Sequence, residues 1–204
     1  MRGFDDAERE RIGEELVETG RELLLRYGPK KTNVAEITEP VGIAKSTFYR
    51  FFDSKSELYM EIYRREVEEF TDHVRAELAE VETTQAGLET FFFSYVAWVE
   101  ESAFIQRMFI QSDYREIYRN IPEERMAEIQ GDGLAAFGPI IEALEGCEGE
   151  LHEDVDLITL LGLLSAIGLL VLHREEFDEY EQGYYEQVRD LLISALARGL
   201  VAES

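Results

Sequence analysis

The sequence predicts an all-α protein, with an N-terminal helix-turn-helix domain of three helices and a larger C-terminal helical bundle, about nine helices in total. Three observations predict it. Apolar residues recur at spacings of three and four through nearly every stretch between breaks. Only four prolines interrupt the 204 residues. Hydrophobic residues at 45% and charged residues at 31% are the balance of a globular chain, not a disordered one.

The first helix is predicted over residues 6–27, where Ile12, Leu16, Gly20, Leu23, Leu24 and Tyr27 form one apolar stripe. Gly28-Pro29 stops it. Two short helices with a tight turn follow within 32–51. Val34 and Ile37 mark the buried face of the first, which Thr32 or Asn33 can cap through a side-chain oxygen. Pro40 has no N–H and is expected to end that helix early or bend it. Gly42 supplies the turn, because a residue without Cβ takes a positive φ at no steric cost. The second short helix carries Lys45 to Phe52, with Phe48 and either Phe51 or Phe52 turned inward. Lys45, Ser46, Thr47 and Tyr49 are left pointing outward near its start. Small polar and cationic groups at the N-terminal end of the second helix are the pattern of a DNA-reading helix-turn-helix.

A long helix is predicted from Lys55 to about residue 80, with Ser54 as cap and Glu57 completing a capping box. Leu58, Ile62, Val67, Phe70, Val74 and Leu78 are its apolar side. The domain boundary is placed within this helix near Glu57, giving domains 1–56 and 57–204 with no flexible linker. An aromatic helix over 84–101 comes next, with Leu88, Phe91, Phe92, Phe93, Tyr95, Trp98 and Val99. A second aromatic segment holds Phe104, Met108, Phe109, Tyr114 and Tyr118, until Asn120-Ile121-Pro122 breaks it. One helix is expected over 122–144. An acidic loop at 145–153 then separates it from an apolar helix over 157–172. The acidic stretch 175–183 leads into a last helix striped by Val188, Leu191, Leu192, Ala195, Leu196 and Leu200.

Charge divides the chain unevenly. The whole carries −24, yet residues 1–56 hold 11 acids against 10 bases, and residues 57–204 hold 33 against 10. All four lysines (Lys30, Lys31, Lys45 and Lys55) fall in or beside the helix-turn-helix, so residues 30–55 have five cations and three acids. Phosphate binding rests on such cations. The acidity elsewhere fits a host with a salty cytoplasm, where screening over roughly 3 Å at 1 M makes self-repulsion tolerable. The other reading is an acidic face for a basic partner, which would make the chain a helical protein-interaction module.

Here the residues resemble a known family. Thr32, Val34, Ile37, Gly42, Ile43, Lys45, Thr47, Tyr49, Phe52, Lys55 and Leu58 stand where the helix-turn-helix of TetR-family transcriptional regulators has its signature residues. Thr38 replaces a usual alanine, Ser46 replaces a usual glycine, and Pro40 is unusual. The resemblance implies that Lys45, Ser46 and Thr47 face the major groove and that Thr32, Tyr49 and Lys55 bind phosphates. It implies a homodimer on a palindromic operator and a small-molecule effector held among the C-terminal helices. The expected function is a ligand-responsive repressor of transcription.

Two constellations of the C-terminal part bear on that. The aromatic and methionine set at residues 91–118 exceeds what a bundle of this size needs, and apolar pockets are the usual form of small-molecule sites. Phe92, Tyr95, Trp98, Met108 and Phe109 are the candidate effector residues, suited to an apolar or aromatic ligand. The helix over 157–172 is apolar nearly all round and must be covered on all sides. Gly162, Ser165, Ala166 and Gly168 give it a surface for close approach. Doubling the helices at about 155–173 and 184–201 across a two-fold axis makes a four-helix bundle.

Other classes find little support. His73, His152 and His173 are scattered, with no zinc-binding spacing, glycine-rich phosphate loop or nucleophile elbow, so no enzyme, metal or cofactor is expected. His152 beside Glu153 and Asp154 is read as a solvated acidic loop. Cys147 is the single cysteine, which excludes an internal disulfide and fits a reducing cytoplasm. The charged N-terminus is not a secretory signal. The 157–172 run would extend about 24 Å, short of the ~30 Å hydrocarbon core of a membrane.

Overall fold

The computed structural model describes residues 5–109, 114–119 and 121–202, apart from the side chains of Phe109, Tyr114, Glu123 and Gln130. Twelve helices occur among the described residues: α1 (Asp6–Tyr27), α2 (Val34–Val41), α3 (Lys45–Phe48), α4 (Lys55–Leu78), α5 (Thr84–Glu101), α6 (Ala103–Phe109), α7 (Tyr114–Tyr118), α8 (Glu123–Ala136), α9 (Gly138–Glu145), α10 (Leu157–Leu172), α11 (Arg174–Asp178) and α12 (Tyr184–Gly199). The fold is all-α, and β-pairing is confined to two isolated bridges among those residues. None of the described helices is long and apolar enough to cross a membrane.

The helix count exceeds the expected nine for local reasons. Helices α6 and α7 lie in the second aromatic segment, with residues 110–113 between them outside the described residues. The helix expected over 122–144 breaks at Phe137, because a continuous helix would require a Pro139 N–H on the Ala135 carbonyl, and proline has none. The acidic stretch after α10 folds one short helix of its own, α11.

Two compact units divide the chain, one of residues 1–66 with 103–131, the other of 67–102 with 132–204. This is not the single cut near residue 57 drawn from the sequence. Helices α6 and α7 group with the helix-turn-helix, while α4 and α8 each contribute to both units.

In the first unit α1 packs against α2 and α6. Its stripe buries Ile12, Leu16 and Leu24, and Gly20 lets α4 come close, since a Cβ there would lie 2.6 Å from Leu58 Cδ2. Ion pairs run along the same pair of helices, with Arg21 on Glu66 at 2.8 Å and Arg65 on Glu14.

In the second unit α5 is the central helix, and α9, α10 and α12 pack on it. Phe70 of α4 stacks on Trp98 of α5 at 4.5 Å between ring centres. Gly168 of α10 is buried, because the Tyr95 hydroxyl sits 2.8 Å from where its Cβ would be. The acidic loop after α9 is pinned on both sides. Glu148 N donates to Glu82 O at 2.8 Å, Thr84 Oγ1 to Gly149 O at 2.9 Å, and His152 N to Leu200 O at 2.9 Å.

Candidate nucleic-acid interface

Helix α2 begins on a complete capping box, which decides between the two possible caps in favour of Asn33. Asn33 Oδ1 accepts from Ala35 N at 3.0 Å and Glu36 N at 3.2 Å, and Glu36 Oε2 accepts from Asn33 N at 2.8 Å. Of the two outcomes expected at Pro40, an early end or a bend, the early end does not occur: α2 runs on to Val41. The proline lies in the last turn on an exposed face, so it removes a single helix bond, to Glu36 O, and its ring stands in water. Gly42 closes the helix in the left-handed region at φ 73°, and Ile43 N donates back to Thr38 O at 3.2 Å. Thr38, where alanine is usual in the resembled family, is buried with its hydroxyl donating to Ala35 O at 3.2 Å.

Helix α3 is shorter than the expected span to Phe52. Regular helix covers Lys45–Phe48, and turns carry the chain on, with Phe51 N and Phe52 N both donating to Phe48 O. Phe48 is fully buried and anchors the segment, with Tyr49 packed edge-on against it at 5.4 Å and Phe52 at 5.7 Å. Phe51 and Phe52 are both half-buried. With Phe48 inward, Lys45, Ser46 and Arg50 are exposed, Tyr49 is 48% exposed, and Thr47 is half-buried beside them.

The other two residues assigned to DNA from the sequence are turned inward. Thr32 is 1% exposed, and its hydroxyl donates to Gly28 O at 2.9 Å and Leu23 O at 3.3 Å. Lys55 is half-buried, and its ammonium donates to the carbonyls of Pro29 and Thr32. Burial holds the Lys55 pKa below the ordinary lysine value, opposed by the nearby charges of Glu116 and Glu36. Both side chains expected on phosphates are thus bonded to backbone carbonyls in this structure. The cause is that carbonyls at the C-terminal end of α1 and in the following loop need donors, and Thr32 and Lys55 supply them. Arg107 of α6 does the same from another side, donating to Leu25 O at 2.9 Å. No sequence spacing points to Arg107, whereas the Asn33–Glu36 pair is a visible capping signature.

The effector candidates do not all fall in one unit. Phe92 is fully buried against Phe91, with rings 5.8 Å apart. Tyr95 and Trp98 surround Phe70, and burial pushes the Tyr95 pKa up to about 12. Met108 is a buried residue of the first unit, and the Phe109 side chain lies outside the described residues. Apolar side chains remain exposed on α10 and α12: Ile158 is 67% exposed, Leu169 59% and Leu191 70%, and Gly162, Ser165, Ala166 and Ala195 of the same helices are exposed as well. Gly168, expected on the same surface, faces Tyr95 instead.

A short exposed polar helix, anchored by one buried phenylalanine and set after a capped partner helix, defines a helix-turn-helix DNA-binding protein. Residues 16–62 match the sequence model of the bacterial regulatory proteins of the tetR family. That match covers the helix-turn-helix and parts of its flanking helices, 47 of the 204 residues. It is 26% identical over 105 residues to the HTH-type transcriptional activator FasR of Mycolicibacterium smegmatis, a match over 52% of this chain and 48% of that protein. The chain thus spans about half the length of that relative in the match. Its fold is similar to that of RolR bound to resorcinol, at 20% identity and a TM-score of 0.63, covering 96% of this chain and 95% of that one. It is similar also to the transcriptional regulator FadR from Bacillus subtilis in complex with stearoyl-CoA, at 17% identity and a TM-score of 0.61, covering 89% and 97%. At these identities the two structures share a fold with this chain.

Proposed function

We propose that the protein is a homodimeric, ligand-responsive repressor that reads a palindromic operator with α3. The observation that carries the reading is the surface of α3, where Lys45, Ser46, Thr47 and Tyr49 stand together around a buried Phe48. Lys45, Ser46 and Thr47 meet base edges in the major groove, and Tyr49 meets a phosphate. The exposed apolar side chains of α10 and α12 pair two chains, so that two reading helices lie about one helical turn apart, roughly 34–36 Å.

The effector is a small apolar or aromatic molecule bound among the aromatic residues of the C-terminal helices, with Phe92, Tyr95 and Trp98 as its nearest candidates. RolR bound to resorcinol and FadR bound to stearoyl-CoA support this ligand class, since both share the fold. Binding shifts the spacing of the two reading helices, and the operator is released because both halves no longer engage together. FasR is an activator by name, so the sign of regulation needs its own measurement. A mobility shift with the DNA upstream of the protein's own gene, in molar potassium salt, tests the DNA reading. A reporter on the same DNA then gives less transcription with the protein present if it represses, and more if it activates. A specific shift that no duplex produces would refute the proposal and favour the acidic interaction module.

A further inference from the structure

We infer that Lys55 is a positioning residue for DNA reading: the first turn of α4 grips both ends of the helix-turn-helix, and the Lys55 ammonium is its hold on the upstream end. This rests on the DNA-reading function proposed above and assigns Lys55 a role other than the phosphate contact implied by its place in the signature. The upstream grip is made by the Lys55 ammonium on the carbonyls of Pro29 and Thr32, and Thr32 directly precedes the cap of α2. The downstream grip is made two residues further along α4. Glu57 Oε2 accepts from Asp53 N at 2.6 Å, and Glu57 N donates to Ser54 Oγ at 3.1 Å. Residues 33–52, which contain both short helices, are thus tied at each end to one helical turn.

The surroundings favour a fixed ammonium over a mobile one. Thr32 is held a second time by its own hydroxyl on Gly28 O and Leu23 O, so its carbonyl presents a rigid acceptor. Hydrogen bonds from a charged donor are shorter and stronger than neutral ones. Glu116 of α7 supplies countercharge: it faces Lys55, and its carboxylate lies 3.9 Å from the Lys30 ammonium. Lys30, Lys55, Ser56, Tyr59, Glu116 and Ile117 line an open pocket of about 140 Å³. To reach a DNA phosphate, Lys55 would have to leave two carbonyls without their donor and move away from Glu116. The more exposed Lys30, at 75% of its side chain, has no such ties to backbone.

The test is Lys55→Met, which keeps an unbranched apolar stem and removes the donor. Binding to the upstream duplex is followed by fluorescence anisotropy over a salt series, well below the melting temperature, so that the folded fraction stays constant. A clasp residue gives about tenfold weaker binding to every duplex and an unchanged slope of log K against log salt. Amide exchange at residues 32–36 speeds up, while exchange in the middle of α1 and α4 does not. A phosphate contact instead lowers the slope by roughly 0.9 per protomer and leaves exchange at 32–36 unaltered; that result overturns the inference. If the wild-type protein binds no duplex, the proposed function falls, yet the exchange measurement still decides the clasp. Should Lys55→Met not fold, Lys55→Gln keeps a donor and removes the charge: a clasp residue then leaves the salt slope unchanged, whereas a phosphate contact lowers it and overturns the inference.

Discussion

Replacing Leu191 by glutamate tests the pairing of two chains without touching the fold of one. Leu191 is 70% exposed on α12, with Ile158 and Leu169 of α10 similarly bare at 67% and 59%. Fully burying a leucine side chain contributes about 1.5–3 kcal/mol, so covering what this one exposes contributes about 1–2 kcal/mol. A two-fold axis uses the residue twice, which makes about 2–4 kcal/mol for the pair. Leu191→Glu forfeits that and brings two carboxylates into an interface of a chain already at −24. The dimer dissociation constant should rise at least about a hundredfold, given 1.4 kcal/mol per decade. Sedimentation velocity over a concentration series reads this directly, and circular dichroism confirms that the helices remain. Binding to a duplex with both half-sites should fall towards that for a single half-site. A variant that sediments as the wild-type dimer would refute the assignment of this surface, as would a wild-type protein that is monomeric at every concentration.

Three further outcomes follow from the same coordinates. Thr47→Ala should change the preferred sequence in a selection from random duplexes by about 1 kcal/mol or more at one base pair; an unchanged preference removes Thr47 from the base-reading set. Asn33→Ala deletes the Asn33 side-chain half of the α2 capping box, leaving Glu36 on the backbone N–H of residue 33, and should lower stability by about 1 kcal/mol in urea unfolding, whereas no shift would mean that water replaces the cap without loss. Tyr95 is pushed up to about 12 by burial, so the folded state holds its proton after the unfolded chain has ionised at about 10. Its stabilising contribution is complete below pH about 10 and is lost as pH rises towards 12, roughly 2–3 kcal/mol in all. Tyr95→Phe should therefore flatten the alkaline fall of unfolding free energy, and an equally steep fall would show that other groups cause it.

How much of this was legible in the sequence depended on whether a residue's environment is set by its own helix. Periodicity located α5 and α10 to the residue, since a helical stripe is local information. It hid the break at Phe137, because apolar spacing continues across Gly138-Pro139 and suggests one helix where proline permits two. Pro40 acts in the opposite sense: a proline in the final, exposed turn of α2 removes one bond and does not end the helix. Gly162 and Gly168 look alike in sequence and lie on one helix, yet they point to different sides, and only the position of Tyr95 decides which is interior. Thr32 and Lys55 show the limit most plainly. A hydroxyl or an ammonium serves a backbone carbonyl as readily as a phosphate, and the carbonyls that claim them end a helix whose need for donors no spacing in the sequence displays.

That inward turn bears on how the protein reads DNA. Of the four lysines that make residues 30–55 locally positive, Lys55 is committed to the backbone and Lys30 lies close to Glu116. Lys31 and Lys45 are exposed. Counterion release grows with the number of phosphates neutralised, and it weakens as salt rises. A chain of net charge −24 with so few cations at its reading surface gains little from that source, and least of all in molar salt. The proposed hydrogen bonds from Ser46 and Thr47 to base edges would carry no such salt dependence, and a second half-site would double them at no cost in cations. Rigid placement of α3 then matters more than added positive charge, because a hydroxyl bond to a base is lost over distances that a Coulombic attraction tolerates. The proposed Lys55 clasp would then strengthen operator binding more through the placement of α3 than one further phosphate contact would.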